Sequence, residues 1–192
     1  MGLPEGDTKE GALRAVVEVL DAAGTPYAVI GGVAVQIYSR EPRTTLDVDL
    51  AVARFDQIPR DALFKAGFVH EGRHEHSDDW RAPGPRPKSE RTAIQFSSED
   101  VGIEDAVARA QVVDAGGYRL RLASPADLLV SKLAAAEERT RRPSKRRIDL
   151  LDIINLAEEH PTAAKTVTML QQRVEQLTSE LLTLGKTRAP ER

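Results

Sequence analysis

The segment TTLDVDLAV, residues 44–52, decides the fold prediction for this chain. Aliphatic residues alternate with acids in it, so the aliphatic side chains share one face of a predicted strand while Asp47 and Asp49 share the other. Residues two apart on a strand lie about 7 Å apart at the backbone, so both carboxylates can bind one ion or a pair of ions. Mg²⁺ favours this arrangement because it binds one or two carboxylates together with waters and substrate phosphates. The strand therefore predicts metal-dependent phosphoryl or nucleotidyl transfer.

A glycine pair lies upstream of this strand. Residues 27–30 form a short apolar run bounded by Gly31 and Gly32, and residues 33–39 predict a helix after the tight turn. Glycines at such a turn let the backbone approach a triphosphate, and the helix N-terminus offers free N–H groups. One cationic and two hydroxyl side chains lie shortly before the aspartate pair and could contact the phosphates: Arg43, Thr44 and Thr45.

The other segments predict a mixed core of helices and strands. A first helix is predicted from a capping box at Asp7 and Glu10 to about Ala23. A polar segment with three prolines, residues 73–89, predicts a long loop or a hairpin tip. A further helix is predicted over residues 55–66, and further strands over 68–71, 92–96, 111–114 and 118–122.

The chain becomes helical from Ser124 onward. An N-cap serine, a first-turn proline and Asp127 at N3 predict a helix that carries Lys132 and ends near Arg139. Two more helices are predicted over residues 144–159 and 162–184, with the break at Pro161. We therefore predict a core domain over residues 1–123 and a C-terminal helical lobe over 124–192 that packs on it. The last helix has apolar residues at 3–4 spacing, which fits packing on its own domain, a homodimer or a docking face.

Composition excludes several classes of function. The chain of 192 residues has no cysteine, which excludes disulfides, thiolate metal sites and thiol nucleophiles. With 27 basic and 30 acidic residues, the net charge of −3 gives no global field for nucleic acid or a membrane surface. No apolar stretch reaches membrane-spanning length and the N-terminus is polar, so we expect no membrane association and a cytoplasmic protein.

Four blocks of the sequence resemble a known family. Residues 30–34, 43–50, 124–128 with the following Lys132, and 147–152 are similar in order to the polymerase-β-like nucleotidyltransferases, and within them to the AbiEii/AbiGii toxin family. The resemblance implies an α+β polymerase-β-like nucleotidyltransferase fold, with a small mixed sheet flanked by helices. It also implies Mg²⁺- or Mn²⁺-dependent transfer of NMP from an NTP to an RNA or protein acceptor.

The resemblance also implies roles for individual residues. Asp47 and Asp49 would be the catalytic metal ligands, and Lys132 would contact the triphosphate or activate the acceptor. Asp149 or Asp152 would complete the catalytic site from the helical lobe, and the sequence leaves open which. The remaining predicted contacts to the NTP come from the glycine turn and the segment before the aspartates: Gly31, Gly32, Arg43, Thr44 and Thr45.

One position departs from the family pattern. Many nucleotidyltransferases have a third carboxylate on a later strand, where this chain has Gln95. A glutamine can offer a neutral oxygen ligand but cannot act as a general base.

The histidines His70, His74 and His76 are not expected to bind zinc, because the segment is loop-like and a fourth ligand is undefined.

The leading functional prediction is a nucleotidyltransferase that modifies tRNA, as the toxin of a toxin-antitoxin or abortive-infection system with an antitoxin partner. One alternative is adenylylation of a protein or a small molecule. Another is a catalytically reduced nucleotide-binding scaffold, in which Gln95 marks the loss of the third acid. Six basic residues within positions 139–147 could attract a triphosphate or an RNA backbone, or could be an ordinary solvated loop.

Overall fold

The structure is a computed structural model that describes residues 8–39, 45–98 and 102–166. Its helices are α1 (Lys9–Ala22), α2 (Gly31–Tyr38), α3 (Arg60–Lys65), α4 (Ile103–Ala108), α5 (Pro125–Glu137), α6 (Pro143–Glu159) and α7 (Pro161–Thr166). Its strands are β1 (Ala28–Ile30), β2 (Val48–Ala51), β3 (Val69–Arg73), β4 (Ser77–Arg81), β5 (Ala93–Ser97), β6 (Gln111–Asp114) and β7 (Arg119–Leu122). Short 3₁₀ turns lie at Phe55–Gln57 and Lys88–Glu90.

The strands form one mixed sheet in the order β3-β4-β5-β2-β1-β7-β6. The aspartate strand β2 is the central strand, antiparallel to β1 and parallel to β5. The β3–β4 and β6–β7 hairpins form the two ends of the sheet. Because β2 is paired on both sides, its backbone is held in register by two neighbours, and the direction of its side chains is fixed by them.

The two faces of the central strands have different environments. Val48 and Leu50 of β2 are completely buried and pair in register with the equally buried Ile94 and Phe96 of β5. The indole of Trp80 on β4 lies on the same face and packs against Phe64 of α3 at a ring distance of 5.0 Å. The alternate residues of these strands point to the opposite face, where α2, α5 and α6 contact one another. The second face is therefore where polar side chains can be grouped.

Three predicted boundaries differ from the structure. The N-cap of α1 is Thr8, whose hydroxyl accepts the N–H of Gly11, so the capping box predicted at Asp7 and Glu10 is wrong. Strand β2 begins at Val48, which leaves Asp47 just before the strand. The helix predicted over residues 55–66 is divided at Pro59, because proline has no N–H to continue the helical hydrogen bonds.

The segment over residues 73–89 is not a plain loop, since it contains β4. Its Asp78 is completely buried and is bound by three donors on one face of the sheet. The guanidinium of Arg60 contacts Asp78, Trp80 Nε1 donates to its Oδ1 at 2.6 Å, and His70 Nε2 lies 3.1 Å from the same oxygen. The short helix α4 was not predicted at all.

The C-terminal helices begin where the sequence predicts. The hydroxyl of Ser124 accepts the N–H of Asp127 at 3.2 Å and Pro125 occupies the first turn, which confirms the predicted start of α5. Helix α6 ends at Glu159 and α7 starts at Pro161, which confirms the predicted break. The division into a core over 1–123 and a helical lobe over 124–192 stays a prediction. Within the described ranges, no helix is long and apolar enough to cross a membrane.

The predicted apolar stripe of the last helix lies outside the described residues, since the description ends at residue 166. The homodimer and docking alternatives that rest on this stripe therefore stay predictions.

Candidate active site

The glycine turn and the aspartate strand are in direct contact. Ile30, the last residue of β1, pairs with Asp49, and the next residue, Gly31, has a left-handed φ of +63°. A Cβ on Gly31 would lie 1.9 Å from Asp49 Oδ2, so a side chain cannot fit there. The backbone N–H of Gly32 donates a hydrogen bond to the same carboxylate. The turn thus places the first N–H groups of α2 beside an acidic group, and α2 has no side-chain cap.

The environment of Asp49 disfavours the ionised form of its carboxyl group. Burial raises the pKa of its carboxyl group, and the negative charge of Asp47 acts in the same direction. The positive charge of Lys132, the Gly32 N–H and the more distant Lys145 oppose the rise in pKa. A divalent cation bound to the carboxylate would lower its pKa in the same way, only more strongly, because an adjacent positive charge favours the ionised form.

The residues before β2 are only partly described. Asp47 is half-buried, and its backbone carbonyl accepts a long hydrogen bond of 3.4 Å from the Thr45 hydroxyl. Arg43 and Thr44, which were predicted to contact the NTP, lie outside the described residues. The NTP contacts predicted for these three side chains therefore stay predictions.

Lys132 brings the two candidate aspartates of α6 together. Its Nζ donates to Asp149 Oδ1 at 2.9 Å and lies 2.8 Å from Asp152 Oδ2. All three side chains are nearly completely buried. The guanidinium of Arg141 contacts the second oxygen of Asp149 at 2.7 Å. Both aspartates thus contact the lysine, and of the two Asp149 lines the cleft described next. Which of them completes the site stays a prediction.

An open cleft of about 690 Å³ lies between the sheet and the helices. The glycine turn and Asp49 form its base, and Lys132, Arg141 and Asp149 form its helical wall. The tip of the β3–β4 hairpin forms the opposite wall with four consecutive polar residues, namely His74, Glu75, His76 and Ser77. The cleft therefore brings together residues from both ends of the chain.

Gln95 occupies the position where the third acid was expected. It lies on β5 directly opposite Asp49 in the parallel ladder, and it lines the cleft. Residues directly opposite on neighbouring strands point to the same face of the sheet. The site therefore has Asp49 on β2, Asp47 just before that strand, and a neutral amide on the adjacent strand.

The sequence profile of one protein family, nucleotidyl transferase of unknown function (DUF2204), matches residues 9–183. This chain belongs to that nucleotidyl transferase family. The match covers both the glycine–aspartate base of the cleft and its helical wall, and it confirms the prediction of an enzyme of the nucleotidyltransferase class. No curated protein sequence matches this nucleotidyltransferase.

Solved structures show the fold of the nucleotidyltransferase. An antigenic nucleotidyltransferase-like protein from Paracoccidioides brasiliensis is 22% identical, covers 92% of this chain and 93% of its own, and superposes with a TM-score of 0.56. ANT(2″)-Ia in complex with adenylyl-2″-tobramycin is 14% identical over 86% and 96% of the two chains, with a TM-score of 0.56. The lincomycin-bound lincosamide antibiotic adenylyltransferase LnuA is 10% identical over 79% and 99%, with a TM-score of 0.52. The predicted polymerase-β-like nucleotidyltransferase fold is confirmed, and the narrower AbiEii/AbiGii resemblance stays a prediction.

Oxygen atoms are the donors that Asp49 and Gln95 offer in the cleft, and Mg²⁺ binds oxygen ligands. Among the residues that the structure describes, no group of three or more histidine, cysteine, aspartate or glutamate side chains could hold a metal ion. Mg²⁺ needs only one or two carboxylates from the protein, because waters and substrate phosphates complete its shell. Asp47 and Asp49, with Gln95 beside them, meet that smaller requirement. Their metal-binding and catalytic roles stay predictions.

The residues of the hairpin wall of the nucleotidyltransferase cleft had no functional role predicted from the sequence. The segment was expected to be a loop or a hairpin tip, so its residues had no fixed neighbour. The two-residue spacing of His74 and His76 was the available signal, because a strand would place them on one face. Arg141 was included only in the basic cluster, and its contact with Asp149 was not predicted.

Proposed function

We propose that this nucleotidyltransferase moves NMP from an NTP to a hydroxyl-bearing acceptor with the help of Mg²⁺ or Mn²⁺. The observation that carries the proposal is the contact of Gly31 with Asp49, because it joins a phosphate-binding turn to a metal-binding carboxylate. The uncapped N-terminus of α2 would bind the triphosphate oxygens through its N–H groups. Asp47 and Asp49 would hold the cation, which supplies charge neutralisation at the reacting phosphate.

The helical wall supplies the positive charge for the leaving group. Lys132 is held by Asp149 and Asp152, so its ammonium is fixed in position before the NTP binds. Arg141 adds a second cation that contacts Asp149 and borders the same cleft. In the reaction, the bond from the acceptor oxygen to the α-phosphorus forms, the bond to the bridging oxygen breaks, and pyrophosphate leaves.

We propose tRNA as the acceptor, in a cytoplasmic toxin-antitoxin or abortive-infection system of the AbiEii type. The support is the resemblance of the four sequence blocks, together with the basic residues around the cleft. Arg139 and Arg142 are exposed in the connection between α5 and α6, and Lys145 lies near enough to influence Asp49. Such a group of cations favours an RNA backbone. An antitoxin would be the partner protein.

A small hydroxylated molecule is the second candidate acceptor. Its support is the volume of the cleft, about 690 Å³, which lies within the range of about 300–1,000 Å³ typical of small-molecule sites. An open cleft of this size also admits the terminal nucleotide of an RNA, so the acceptor has to be identified by experiment.

The decisive experiment is label transfer from each of the four α-labelled NTPs with Mg²⁺. Total tRNA, total protein and a small-molecule extract are offered in separate reactions. We expect label on tRNA, and a loss on the order of 100-fold or more in Asp49→Ala, because the cation loses a ligand. Asp61→Ala is the matched control, since Asp61 is an exposed acid in the first turn of α3 and lies outside the cleft.

The outcomes separate the candidates. Label on the small-molecule fraction alone would favour the second candidate, and label on protein would favour protein adenylylation. No label with any acceptor, in a folded protein, would overturn the proposed transfer and favour the nucleotide-binding scaffold. Expression in growing cells adds an independent test of the toxin role, because the wild type should arrest growth and Asp49→Ala should not.

A further inference from the structure

A row of polar side chains crosses three neighbouring strands on the cleft face of the sheet. Asp49 of β2 pairs in register with Gln95 of β5, and Gln95 pairs in register with Asp79 of β4. Directly opposite residues point to the same face, so a carboxylate recurs one strand beyond the glutamine. Neighbouring strands lie about 4.8 Å apart, so the backbones of Asp49 and Asp79 are about 10 Å apart.

A histidine from the hairpin tip lies next to this second carboxylate. The backbone N–H of His74 donates to the carbonyl of Ser77 at 2.7 Å, which closes the connection between β3 and β4. His74 Nε2 lies 3.5 Å from Asp79 Oδ2. Gly72 is the partner of Asp79 on β3, and a Cβ there would lie 4.0 Å from the same nitrogen. The imidazole thus lies over a glycine and faces the aspartate.

His74 is more exposed than Asp79, as expected if His74 is a base that contacts substrate and Asp79 orients it. The side chain of His74 is 70% exposed and lines the cleft together with Asp49 and Gln95. The side chain of Asp79 is only 30% exposed. Its second oxygen, Oδ1, is buried and has no hydrogen-bond partner among the residues described. His74 is therefore the group that can reach a bound molecule, and Asp79 can act on it through the imidazole.

We propose that His74 is the general base for the acceptor, and that Asp79 is a positioning residue that orients it. The proposal rests on the nucleotidyl transfer proposed above. With Nε2 beside Asp79, Nδ1 accepts the proton of the acceptor hydroxyl while the oxygen bonds to the α-phosphorus. The bond between that phosphorus and the bridging oxygen breaks, and pyrophosphate leaves with the electron pair. The proton remains on the imidazole until solvent removes it.

This assignment accounts for the glutamine on the middle strand. Gln95 cannot take up a proton, so the usual strand position provides no base in this chain. The 3.5 Å between His74 and Asp79 is longer than a hydrogen bond, and such distances often shorten when substrate binds.

The other charged residues of the cleft are less suited to this role. Glu75 and His76 stand beside His74 at the hairpin tip, are strongly exposed, and lie 3.7 Å from each other. Glu138 and Arg141 face them from the helical wall. His76 is less suited to be the base, because it is paired with an exposed neighbour instead of a strand carboxylate.

The first test compares His74→Ala and the control Asp61→Ala in the label-transfer assay, with total tRNA as the acceptor. If the wild type labels the small-molecule or protein fraction instead, that fraction is used. We expect His74→Ala to lower the turnover rate by on the order of 100-fold and Asp61→Ala, outside the cleft, to leave it within about threefold of wild type. Added imidazole should restore part of the rate of His74→Ala, since a free base can enter the vacated space.

Binding of an α,β-methylene NTP analogue with Mg²⁺ is measured in parallel. Because His74 acts on the acceptor, its removal should leave the analogue's Kd unchanged, which also shows that the variant is folded. Full activity of His74→Ala, or a loss that imidazole does not restore, would overturn the proposal. A wild type that labels no acceptor overturns the proposed function instead, so the two failures are distinguishable.

The second test measures whether Asp79 acts through His74. Asp79→Asn should lower the rate on the order of tenfold in the wild-type background and have no further effect in His74→Ala, because a positioning residue has nothing left to orient. An equal loss in both backgrounds would overturn the positioning role.

Discussion

Substitution of Gly31 by alanine gives a sharp test of the glycine turn. Two separate costs are expected in Gly31→Ala. A φ of +63° places alanine in the left-handed region, which costs about 1–2 kcal/mol. The new Cβ would also lie 1.9 Å from Asp49 Oδ2, so the carboxylate has to move by about 1.5 Å to reach ordinary contact.

The second cost is the loss of a hydrogen bond to the displaced Asp49 carboxylate. Its carboxylate accepts the N–H of Gly32, and a hydrogen bond to a charged group contributes about 1.5–3 kcal/mol. The free energy of unfolding of Gly31→Ala should therefore fall by about 3–4 kcal/mol in total. Label transfer should also be lost, because the displaced carboxylate no longer faces the metal position.

The chain contains a matched control for the first cost. Gly24 has a φ of +66°, and a Cβ there would have no atom within 4 Å, so Gly24→Ala should lower the free energy of unfolding by only about 1–2 kcal/mol. Urea unfolding of both variants gives the difference directly. Equal destabilisation of the two variants, or full transfer activity in Gly31→Ala, would refute the argument that this turn and Asp49 are matched in shape.

Three further changes test the buried polar groups. Lys132→Met should lower the free energy of unfolding by about 3 kcal/mol at pH 7 in urea, because both buried aspartates lose the lysine and only Asp149 keeps a contact with Arg141. A loss below about 1 kcal/mol would contradict this. Burial raises the pKa of Tyr27 to about 12, so the unfolded phenol ionises first above pH 10 and the wild type loses stability as pH rises from 10 to 12. Tyr27→Phe should remove about 1 kcal/mol of that loss between pH 10 and 11, and identical alkaline slopes would exclude it. Asp78→Ala should cost about 3–5 kcal/mol, because Arg60 is left without its buried carboxylate, and thermal unfolding near the wild-type Tm would contradict that role.

The base of the site was predictable because its signals are local. Alternation around Asp47 and Asp49 indicates a strand, and a glycine pair after an apolar run indicates a tight turn. The contact between them depends on β1 pairing with β2, which the closeness of the two segments in sequence made a reasonable expectation. The start of α5 was predictable for the same reason, since Ser124 and Pro125 act within one helical turn.

Strand β4 was not predictable because its stability depends on distant residues. The letters SDDWR suggest a polar loop, but Asp78 is buried by Arg60, eighteen positions earlier in the sequence, and by the indole of Trp80. Neither contact appears in a local pattern. The pairing of His74 with Asp79 depends on that strand, so the hairpin wall of the cleft could not be assigned before the strand was known. The break at Pro59 was readable from the sequence and was missed.

The position of β2 in the middle of the sheet has a consequence for how this enzyme could change its acceptor. The strand that carries Asp49 has partners on both sides, so any alteration of it disturbs two ladders at once. The β3–β4 hairpin, which carries the opposite wall of the cleft, joins the sheet through β5 alone. Exchanging this hairpin for one with a different tip would require only one ladder to be rebuilt. The architecture thus keeps the NTP side constant and leaves the acceptor side open to replacement, which makes hairpin grafting the natural route to altered acceptor specificity.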